Sequence, residues 1–365
     1  MTSPHFDLTS LRTIDHVIAR ARELTDPDAF TWAASGAGTG VTVARNQQAL
    51  AALALIPRVM RDVESVDISS SFLGIPLRLP VMLAPVAALS LYHPEGASAS
   101  GEGAARAGTS SFCGMLGDQG WEEVAATAAG RHFFQLYVLG DRPWMASVIE
   151  RVERSGFAGI CLTADTPAIA RRDHSLANGY DWDIYQGSGP ANLVSLGYDP
   201  EYKKRVTWGD LEWLCSQTAL PVAVKGVLAA ADALRAVDCG VKAIYVSNHG
   251  GRAVDHEISP IEVLGEIVQA VQDRVEVIVD SGFTRGAEVC KALALGARAV
   301  AIGRLQCWGL AVGGVAGVEK VLDILSQEIR LSMTNLGCRS VADLTPDMVR
   351  WSFPVVAGLT SGSTK

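Results

Sequence analysis

The stretch Val275-Glu276-Val277-Ile278-Val279, followed directly by Asp280-Ser281-Gly282, sets the pattern that decides the fold. A short apolar run ends in a polar turn, and an amphipathic stretch over residues 285–296 follows it. Because the run is almost continuously apolar, it predicts a strand of a parallel sheet that is covered on both faces. The same unit returns at residues 299–302, where Ala-Val-Ala-Ile precedes Gly303-Arg304.

Six further apolar runs of this kind lie earlier in the chain. They occupy residues 81–84, 110–113, 133–137, 159–163, 222–224 and 243–246. The stretches that follow the strands have helical spacing, at residues 94–107, 121–129, 142–155, 208–216, 229–238, 260–272 and 285–296. Eight units of strand and helix predict an α/β fold, a closed (β/α)8 TIM barrel over residues 81–335, rather than an open sheet.

The flanking segments predict additions to this barrel. Residues 1–65 indicate a helical N-terminal extension, with helices over 11–24, 28–34 and 43–55, and residues 66–69 with a turn at residues 74–76 indicate a short hairpin. Residues 314–333 predict a final amphipathic helix. Since no linker interrupts the pattern, residues 1–365 are expected to form a single domain.

One interval does not fit the short connections of a barrel. Residues 173–207, after the fourth strand, are long, polar and rich in Gly, Asn, Asp and Tyr. Long loops in compact domains often cover a site, so this segment is interpreted as a lid over the barrel mouth. The alternative is a surface insertion with no part in function.

Composition excludes several classes of protein. Hydrophobic residues make up 48% of the chain and the net charge is −8, which argues against disorder and against a nucleic-acid partner. The seven cysteines are scattered without a CxxC pair, so disulfides and metal sites are not expected. The N-terminus lacks a signal-peptide pattern and no run of about 18 apolar residues occurs, so a cytoplasmic location away from membranes is expected.

The loops after the last two strands predict a phosphate site. Active sites of this fold lie at the C-terminal ends of the strands, and phosphates favour the loops after strands seven and eight. Asp280-Ser281-Gly282 and Gly303-Arg304 occupy those positions. Glycines allow close backbone approach, amides at a helix N-terminus favour an anion, and Arg304 adds a charged fork.

The loops after strands six and four carry the candidate acid–base residues. Ser247-Asn248-His249-Gly250-Gly251-Arg252 places a histidine three residues from an arginine, which suits a general base beside an anionic substrate. Asp165 after strand four is expected to orient His249. Of Arg171 and Arg172, one is expected at the surface, while Arg172 offers a second fork for a carboxylate.

Strands three and five end in further polar residues. Lys225 would face the barrel centre, where an unpaired ammonium is costly, so an anionic partner is expected. Gln135 and Tyr137 end the third strand and point in part toward the mouth.

Taken in order, these motifs resemble the FMN-dependent 2-hydroxy acid oxidase and dehydrogenase family over residues 28–339. The matching segments are Ala84-Pro85, His93-Pro94-Glu95-Gly96, Phe134-Gln135-Leu136-Tyr137, Asp165-Thr166-Pro167, Arg171-Arg172, Val224-Lys225-Gly226, the loop of residues 247–252, Asp280-Ser281-Gly282 and Ile302-Gly303-Arg304. The loop around His249 is the most specific of them. The resemblance implies FMN across the barrel mouth, a small anionic 2-hydroxy acid as substrate, and a homotetramer.

The resemblance also implies a role for each matching residue. Pro85, Val86, Ala87 and Gly114 would flank the flavin ring, with Gln135, Thr163, Lys225 and Ser247 in polar contact with it. Asp280 would hold the ribityl chain, and Gly282, Thr284, Gly303 and Arg304 would surround the phosphate. Arg172 and Arg252 would clamp the substrate carboxylate, Tyr137 would hydrogen-bond the substrate, and His249, paired with Asp165, would be the catalytic base.

Four positions depart from the family pattern. Trp32 stands where relatives usually have a substrate-binding tyrosine, and an indole donates a hydrogen bond but cannot accept one. Gly114 and Leu116 replace a serine and an aromatic residue near the pocket, and Thr284 replaces an arginine of the phosphate loop. The altered pocket walls predict a substrate with a larger or more apolar side chain than that of glycolate or lactate.

The predicted reaction is oxidation of an (S)-2-hydroxy acid to the 2-oxo acid, with O2 or a soluble acceptor reoxidising the flavin. One alternative is the same family with an altered outcome, such as oxidative decarboxylation or the tailoring of a specialised metabolite. A second is a flavin-binding protein without turnover, which the intact set of candidate catalytic residues disfavours.

Overall fold

A computed structural model describes residues 7–117, 119–128, 130–168, 170–177, 193 and 206–352. Its centre is a sheet of eight parallel strands, and each predicted strand is confirmed. The strands are β4 (Val81–Leu83), β5 (Phe112–Gly114), β6 (Phe133–Leu136), β7 (Gly159–Thr163), β8 (Val222–Val227), β9 (Ala243–Val246), β10 (Glu276–Val279) and β11 (Ala299–Ile302). They run in the order β4-β11-β10-β9-β8-β7-β6-β5. A parallel bridge between Leu83 and Ser111 joins the two ends, so the sheet closes into the predicted barrel.

Helices cover the outside of the barrel. They are α4 (Gly96–Arg106), α5 (Trp121–Ala126), α6 (Arg142–Arg154), α8 (Trp208–Gln217), α9 (Ala230–Asp238), α10 (Pro260–Val271), α11 (Gly286–Ala294) and α12 (Arg304–Leu336). The short helix α7 (Asp173–Ala177) lies instead against the N-terminal extension, where the Asp173 amide donates to the carbonyl oxygen of Gly38. Capping residues in the sequence determine where several of these helices begin. Asp141 caps α6 by accepting a hydrogen bond from the Trp144 amide, and Thr207 with Asp210 forms a capping box at α8.

A short hairpin closes the N-terminal end of the barrel. Its strands are β2 (Ser70–Phe72) and β3 (Ile75–Leu77), so the predicted first arm at residues 66–69 and the predicted turn at residues 74–76 were both wrong. The reason is the tight turn at Leu73 and Gly74, which both have positive φ (47° and 80°) and require the paired arms to start next to them. The ring of Phe72 is fully buried, 5.1 Å from that of Phe133 on the barrel interior.

The N-terminal extension consists of three helices that cover the opposite, C-terminal end. They are α1 (Ile14–Leu24), α2 (Pro27–Ala34) and α3 (Val41–Ala52). The prediction of helix through residue 55 was wrong, because β1 (Leu53–Leu55) pairs antiparallel with β12 (Val349–Trp351). Asp255, beyond the sixth barrel strand, accepts hydrogen bonds from the amides of Thr39 and Thr42 and so fixes the extension over the mouth.

The last helix, α12, is longer than predicted. It begins at Arg304, directly after the last barrel strand, and bends at Gly313 and Gly314, whose backbones are not helical. The predicted start at residue 314 corresponds to the beginning of its second, straight part. Gly314 has φ of 54°, and a Cβ there would lie 2.7 Å from Nε2 of His93, so the bend requires glycine.

Most of the predicted lid, residues 178–192 and 194–205, lies outside the described residues. Of its first part, residues 173–177 form the short helix α7. Among the described helices none is long and apolar enough to cross a membrane. All seven cysteines are free thiols, and in the described ranges no cluster of His, Cys, Asp and Glu could hold a metal ion.

Candidate active site

A cavity of about 380 Å³ opens at the C-terminal end of the barrel, beneath the N-terminal extension. Its size lies within the range of roughly 300–1,000 Å³ that is typical of ligand sites. All of the predicted site residues line it except Asp165 and Ser247, which lie directly behind it. The predicted lining residues are Trp32, Pro85, Val86, Ala87, Gly114, Leu116, Gln135, Tyr137, Thr163, Arg172, Lys225, His249, Arg252, Asp280, Gly282, Thr284, Gly303 and Arg304.

His249 and Asp165 form the predicted pair. The Nδ1 atom of His249 lies 2.9 Å from Oδ1 of the buried Asp165 carboxylate. Burial lowers the pKa of His249, and the attraction of Asp165, which raises it, does not fully compensate. The imidazole is therefore neutral at neutral pH, with its second nitrogen left as an acceptor.

The backbone of the His249 loop is held in an uncommon conformation. His249, Gly250 and Gly251 all have positive φ, of 57°, 68° and 75°. For histidine this region is sparsely populated, and such backbones are found most often at functional sites. Position 251 requires glycine, because a Cβ there would lie 2.8 Å from the backbone nitrogen of Val43.

Lys225 meets the anionic partners that its position predicted. Its buried ammonium donates to Oγ of Ser247 at 2.8 Å and lies 3.8 Å from the Asp165 carboxylate and 3.7 Å from that of Asp280. Burial lowers the pKa of Lys225, but the two carboxylates outweigh it, so the pKa is raised and the lysine stays charged. Since only Ser247 lies within hydrogen-bond distance among the described side chains, the ammonium retains donors for a ligand.

Three polar side chains lie on the wall beside Lys225. Nε2 of Gln135 donates to Oγ1 of Thr163 at 3.0 Å, and both side chains are buried. Burial raises the pKa of Tyr137 to about 12, so its phenol stays protonated and can donate a hydrogen bond.

Three arginines meet at the other side of the cavity. Arg172, Arg252 and Arg304 all line it, and burial together with the charges of Arg172 and Arg304 holds the pKa of Arg252 well below its usual range. Mutual repulsion of this kind is relieved when an anion binds, so the arrangement favours a carboxylate or phosphate ligand. Arg171, by contrast, is exposed and paired with Asp173, which confirms that one of the two adjacent arginines lies at the surface.

The end of helix α2 holds two of these arginines in place. Nη1 of Arg252 donates to the carbonyl oxygens of Trp32, Ala33 and Ser35 at 2.6, 3.1 and 3.0 Å. Arg304 donates to Ala33 and Ser35 as well, at 2.8 and 3.1 Å. The last carbonyls of a helix lack intrahelical partners and carry partial negative charge, which accounts for both attachments.

Trp32 contributes its ring as well as its carbonyl oxygen. The guanidinium carbon of Arg252 lies 4.6 Å from the ring centroid and that of Arg172 lies 5.5 Å away. The indole that replaces the family's tyrosine therefore makes cation–π contacts with both arginines that are proposed to bind the substrate carboxylate.

The start of α11 differs from the predicted phosphate site. The amides of Thr284 and Arg285 donate to the carboxylate of Glu288 at 2.6 and 3.0 Å, and the Gly286 amide donates to Glu328 at 2.7 Å. The expectation of open amides at this helix terminus was wrong, because carboxylates of the chain itself already accept these hydrogen bonds. Thr284 still lines the cavity.

Sequence reasoning also missed functional candidates that only the fold brings into the cavity. Arg22 and Ile18 of α1 and Asn46 and Gln47 of α3 line it. Tyr245, which the sequence placed in a strand, is fully buried inside the barrel, with its ring centroid 5.3 Å from the Lys225 nitrogen. A helical or strand pattern shows that such residues are structured but gives no sign of which cavity they line.

These residues fit an FMN molecule. Pro85, Val86 and Ala87 form a mainly apolar wall, Lys225 supplies a buried ammonium with free donors, and three arginines line the same cavity. Oδ2 of Asp165 is buried and has no hydrogen-bond partner in the described part of the chain, which is typical of a site that a ligand or water completes.

Comparison with known proteins agrees with this geometry. Residues 21–351 match the family model described as FMN-dependent dehydrogenase. The chain is 38% identical to an L-lactate oxidase of Nostoc sp., over 87% of this chain and 92% of that protein, and 38% identical to the glycolate oxidase of Spinacia oleracea, over 92% and 94%. The crystal structure of a mandelate oxidase superposes with a TM-score of 0.85 at 37% identity, covering 93% of this chain and 98% of the other. The chain thus belongs to the family of FMN-dependent dehydrogenases.

Proposed function

We propose that this chain oxidises an (S)-2-hydroxy carboxylate to the corresponding 2-oxo acid, with His249 as the catalytic base. The observation that carries the proposal is the His249–Asp165 pair, in which His249 lines the same cavity as Lys225, Arg172 and Arg252 and Asp165 supports it from behind. FMN, when bound, supplies the two-electron oxidation.

His249 is suited to accept the proton that the substrate loses. Its Nδ1–H group donates to Asp165, which leaves Nε2 as the basic nitrogen, and its lowered pKa keeps that nitrogen unprotonated. Once the ring has taken up a proton, the adjacent carboxylate stabilises the resulting imidazolium.

The arginines and Tyr137 would fix the substrate in front of this base. A guanidinium fork binds a carboxylate through two parallel hydrogen bonds, and Arg172 and Arg252 both lie against Trp32. The protonated Tyr137 phenol would donate to the hydroxyl or carboxylate oxygen. Holding the substrate in one orientation is itself a large part of catalysis.

The remaining cavity residues would hold the cofactor. Lys225, Gln135, Thr163 and Ser247 would bind the polar edge of the flavin, and Asp280 would bind the ribityl chain. The residues proposed to surround the phosphate are Gly282, Thr284, Gly303 and Arg304.

The apolar part of the cavity lining favours a substrate with a large apolar side chain. Trp32, Leu116 and Ala168 line the cavity without adding a polar group other than the indole N–H. The relatives named above include lactate, glycolate and mandelate oxidases, and oxidases use O2, so we propose O2 as the acceptor and H2O2 as the second product.

Anaerobic flavin reduction tests this function. Purified protein is mixed with glycolate, lactate, mandelate, 4-hydroxymandelate and branched or long-chain 2-hydroxy acids, and absorbance of oxidised flavin is followed. We expect the larger apolar acids to reduce the flavin fastest, and air to restore the oxidised spectrum with release of H2O2. The matched variant His249→Ala should retain bound FMN but lose reduction almost completely.

Bound FMN that no acid reduces would contradict the proposal and favour a flavin-binding protein without turnover. Product analysis separates the other alternative, since a shortened carboxylic acid in place of the 2-oxo acid would indicate oxidative decarboxylation. Assembly into a homotetramer stays a prediction, which size-exclusion chromatography with light scattering addresses.

A further inference from the structure

The phosphate end of the cavity has fewer free donors than its sequence suggested. Carboxylates of the chain itself accept the amide hydrogen bonds at Thr284 and Arg285. Arg304 is buried, and its Nε and Nη2 atoms already donate to carbonyl oxygens of Ala33, Ser35 and Gly250. A phosphate dianion between these loops would therefore meet one cation with most of its donors in use.

Helix α1 brings another cation to this end. Arg22 lies in the last turn of α1 and lines the cavity together with Ile18. Asp15, Ile18 and Arg22 are spaced by three and four residues, which places them on one face of the helix. Asp15 forms an ion pair of 2.7 Å with Arg285, the residue after Thr284, so this face of α1 is fixed against the phosphate loop.

Aromatic contacts connect Arg22 to the other phosphate loop. Its guanidinium carbon lies 4.8 Å from the ring centroid of Phe30, and that ring stacks on Trp308 at 4.2 Å. Trp308 lies one turn after Arg304, at the beginning of α12. Arg22 is thus held between the two loops that were predicted to bind phosphate.

The Arg22 charge has no other described use. No carboxylate of the described residues lies within ion-pair distance of it, and a cation–π contact leaves the guanidinium N–H groups available to a ligand. The residue is exposed at the rim of the cavity, and its only described side-chain contact is the one with Phe30, so a bound phosphate would not have to displace an ion pair.

We propose that Arg22 binds the phosphate of FMN, supplying from helix α1 the positive charge that the loop at Thr284 lacks. The planar fork of arginine matches two phosphate oxygens and forms charge-assisted hydrogen bonds with them. The proposal rests on FMN as the cofactor and goes beyond the oxidation itself.

Titration of the full-length apoprotein with two flavins tests it. Riboflavin has the ring and ribityl chain of FMN but no phosphate, so fluorescence quenching by apoprotein compares binding with and without that group. In Arg22→Met we expect the FMN dissociation constant to rise about tenfold, the effect of losing one charged contact, with the riboflavin constant unchanged. Arg22→Lys, which keeps the charge, should lose less.

Arg20→Met is the matched control, because Arg20 lies on the same helix, pairs with Glu23 at 2.7 Å and does not line the cavity. It should leave both constants unchanged. An equal rise for both flavins in Arg22→Met, or no change for FMN, would overturn the proposal. Loss of hydroxy acid oxidation with FMN binding intact would count against the proposed function alone, because the two flavin constants do not depend on turnover.

Discussion

Two opposing effects set the charge of His249. Burial lowers its pKa and the adjacent Asp165 carboxylate raises it, and burial is the larger effect. The pKa therefore lies below the ordinary histidine value of about 6.5. Below its pKa the ring carries a proton and cannot accept another, so activity requires a pH above that value.

The pH dependence of anaerobic flavin reduction should follow this titration. At limiting substrate the rate should be constant near neutral pH and fall about tenfold per unit of pH on the acid side, with a midpoint below about 6.5. Asp165→Asn should move the midpoint lower still and reduce the rate at every pH by at least about a hundredfold, since it removes both the attraction and the orientation of the ring. A midpoint clearly above that of free histidine would contradict the assignment.

Arg252 should matter more for substrate than for cofactor. Replacing it with Met removes a charged fork, so we expect the dissociation constant of the hydroxy acid to rise about ten- to hundredfold, while FMN affinity changes little. Arg252→Lys keeps the charge but not the planar guanidinium, so its dissociation constant for the hydroxy acid should lie between those of the unchanged chain and Arg252→Met. Unchanged saturation behaviour in stopped-flow reduction would remove Arg252 from the carboxylate clamp.

At the scale of elements, the ends and bends of helices hold several side chains of the site in place. The carbonyl end of α2 holds Arg252 and Arg304, and α12 bends immediately after its first turns have placed Trp308 beside Phe30. These elements were predictable in part. The residues of α2 have helical spacing, but which residues its last carbonyls bind depends on partners more than 200 positions away.

The bend in α12 gives a test at this scale. Gly314→Ala would place a methyl group 2.7 Å from the His93 ring at a φ of 54°, and we expect it to lower the free energy of unfolding by about 1–3 kcal/mol. Gly313→Ala is the control, because its φ of −179° lies outside the left-handed region and its nearest neighbour at 3.1 Å is the flexible end of Leu8. Urea denaturation should separate the two variants, and equal midpoints would contradict this account of the bend.

At the scale of the whole molecule, the barrel has a functional end and a stabilising end. His132, near the N-terminal end, is 1% exposed, and its two ring nitrogens lie 2.9 Å from the hydroxyls of Ser111 and Thr127. Burial lowers its pKa to about 4. Between that value and the unfolded value of about 6.5, the unfolded chain binds a proton that the folded chain does not.

Acid should therefore destabilise the protein through His132. As pH falls from about 6.5 to 4, each unit should reduce the free energy of unfolding by about 1.4 kcal/mol for this one group. Urea midpoints measured across that range should fall less steeply in His132→Gln than in the unchanged chain, since other titrating groups are common to both. Parallel slopes would show that His132 does not report on acid unfolding.

The sequence predicted the barrel because each strand is a local apolar run, and it predicted His249, Arg252 and Lys225 because strand ends define the mouth. It could not predict contacts made across the chain. Residues 53–55 favour helix locally, yet pairing with the strand at residues 349–351 decides their structure. The sequence likewise did not predict that Glu288 and Glu328 accept the amide hydrogen bonds at the start of α11. The contact of Glu328 exists only because α12 packs against α11.

The attachment of α2 to Arg304 also fixes when the site can form during synthesis. Ala33 leaves the ribosome early, and Arg304, which donates a hydrogen bond to its carbonyl oxygen, follows 271 residues later. At roughly 5–20 residues per second, the N-terminal helices wait on the order of tens of seconds for their partner. Cofactor loading of a nascent chain is thus confined to the last moments of translation or to the time after release.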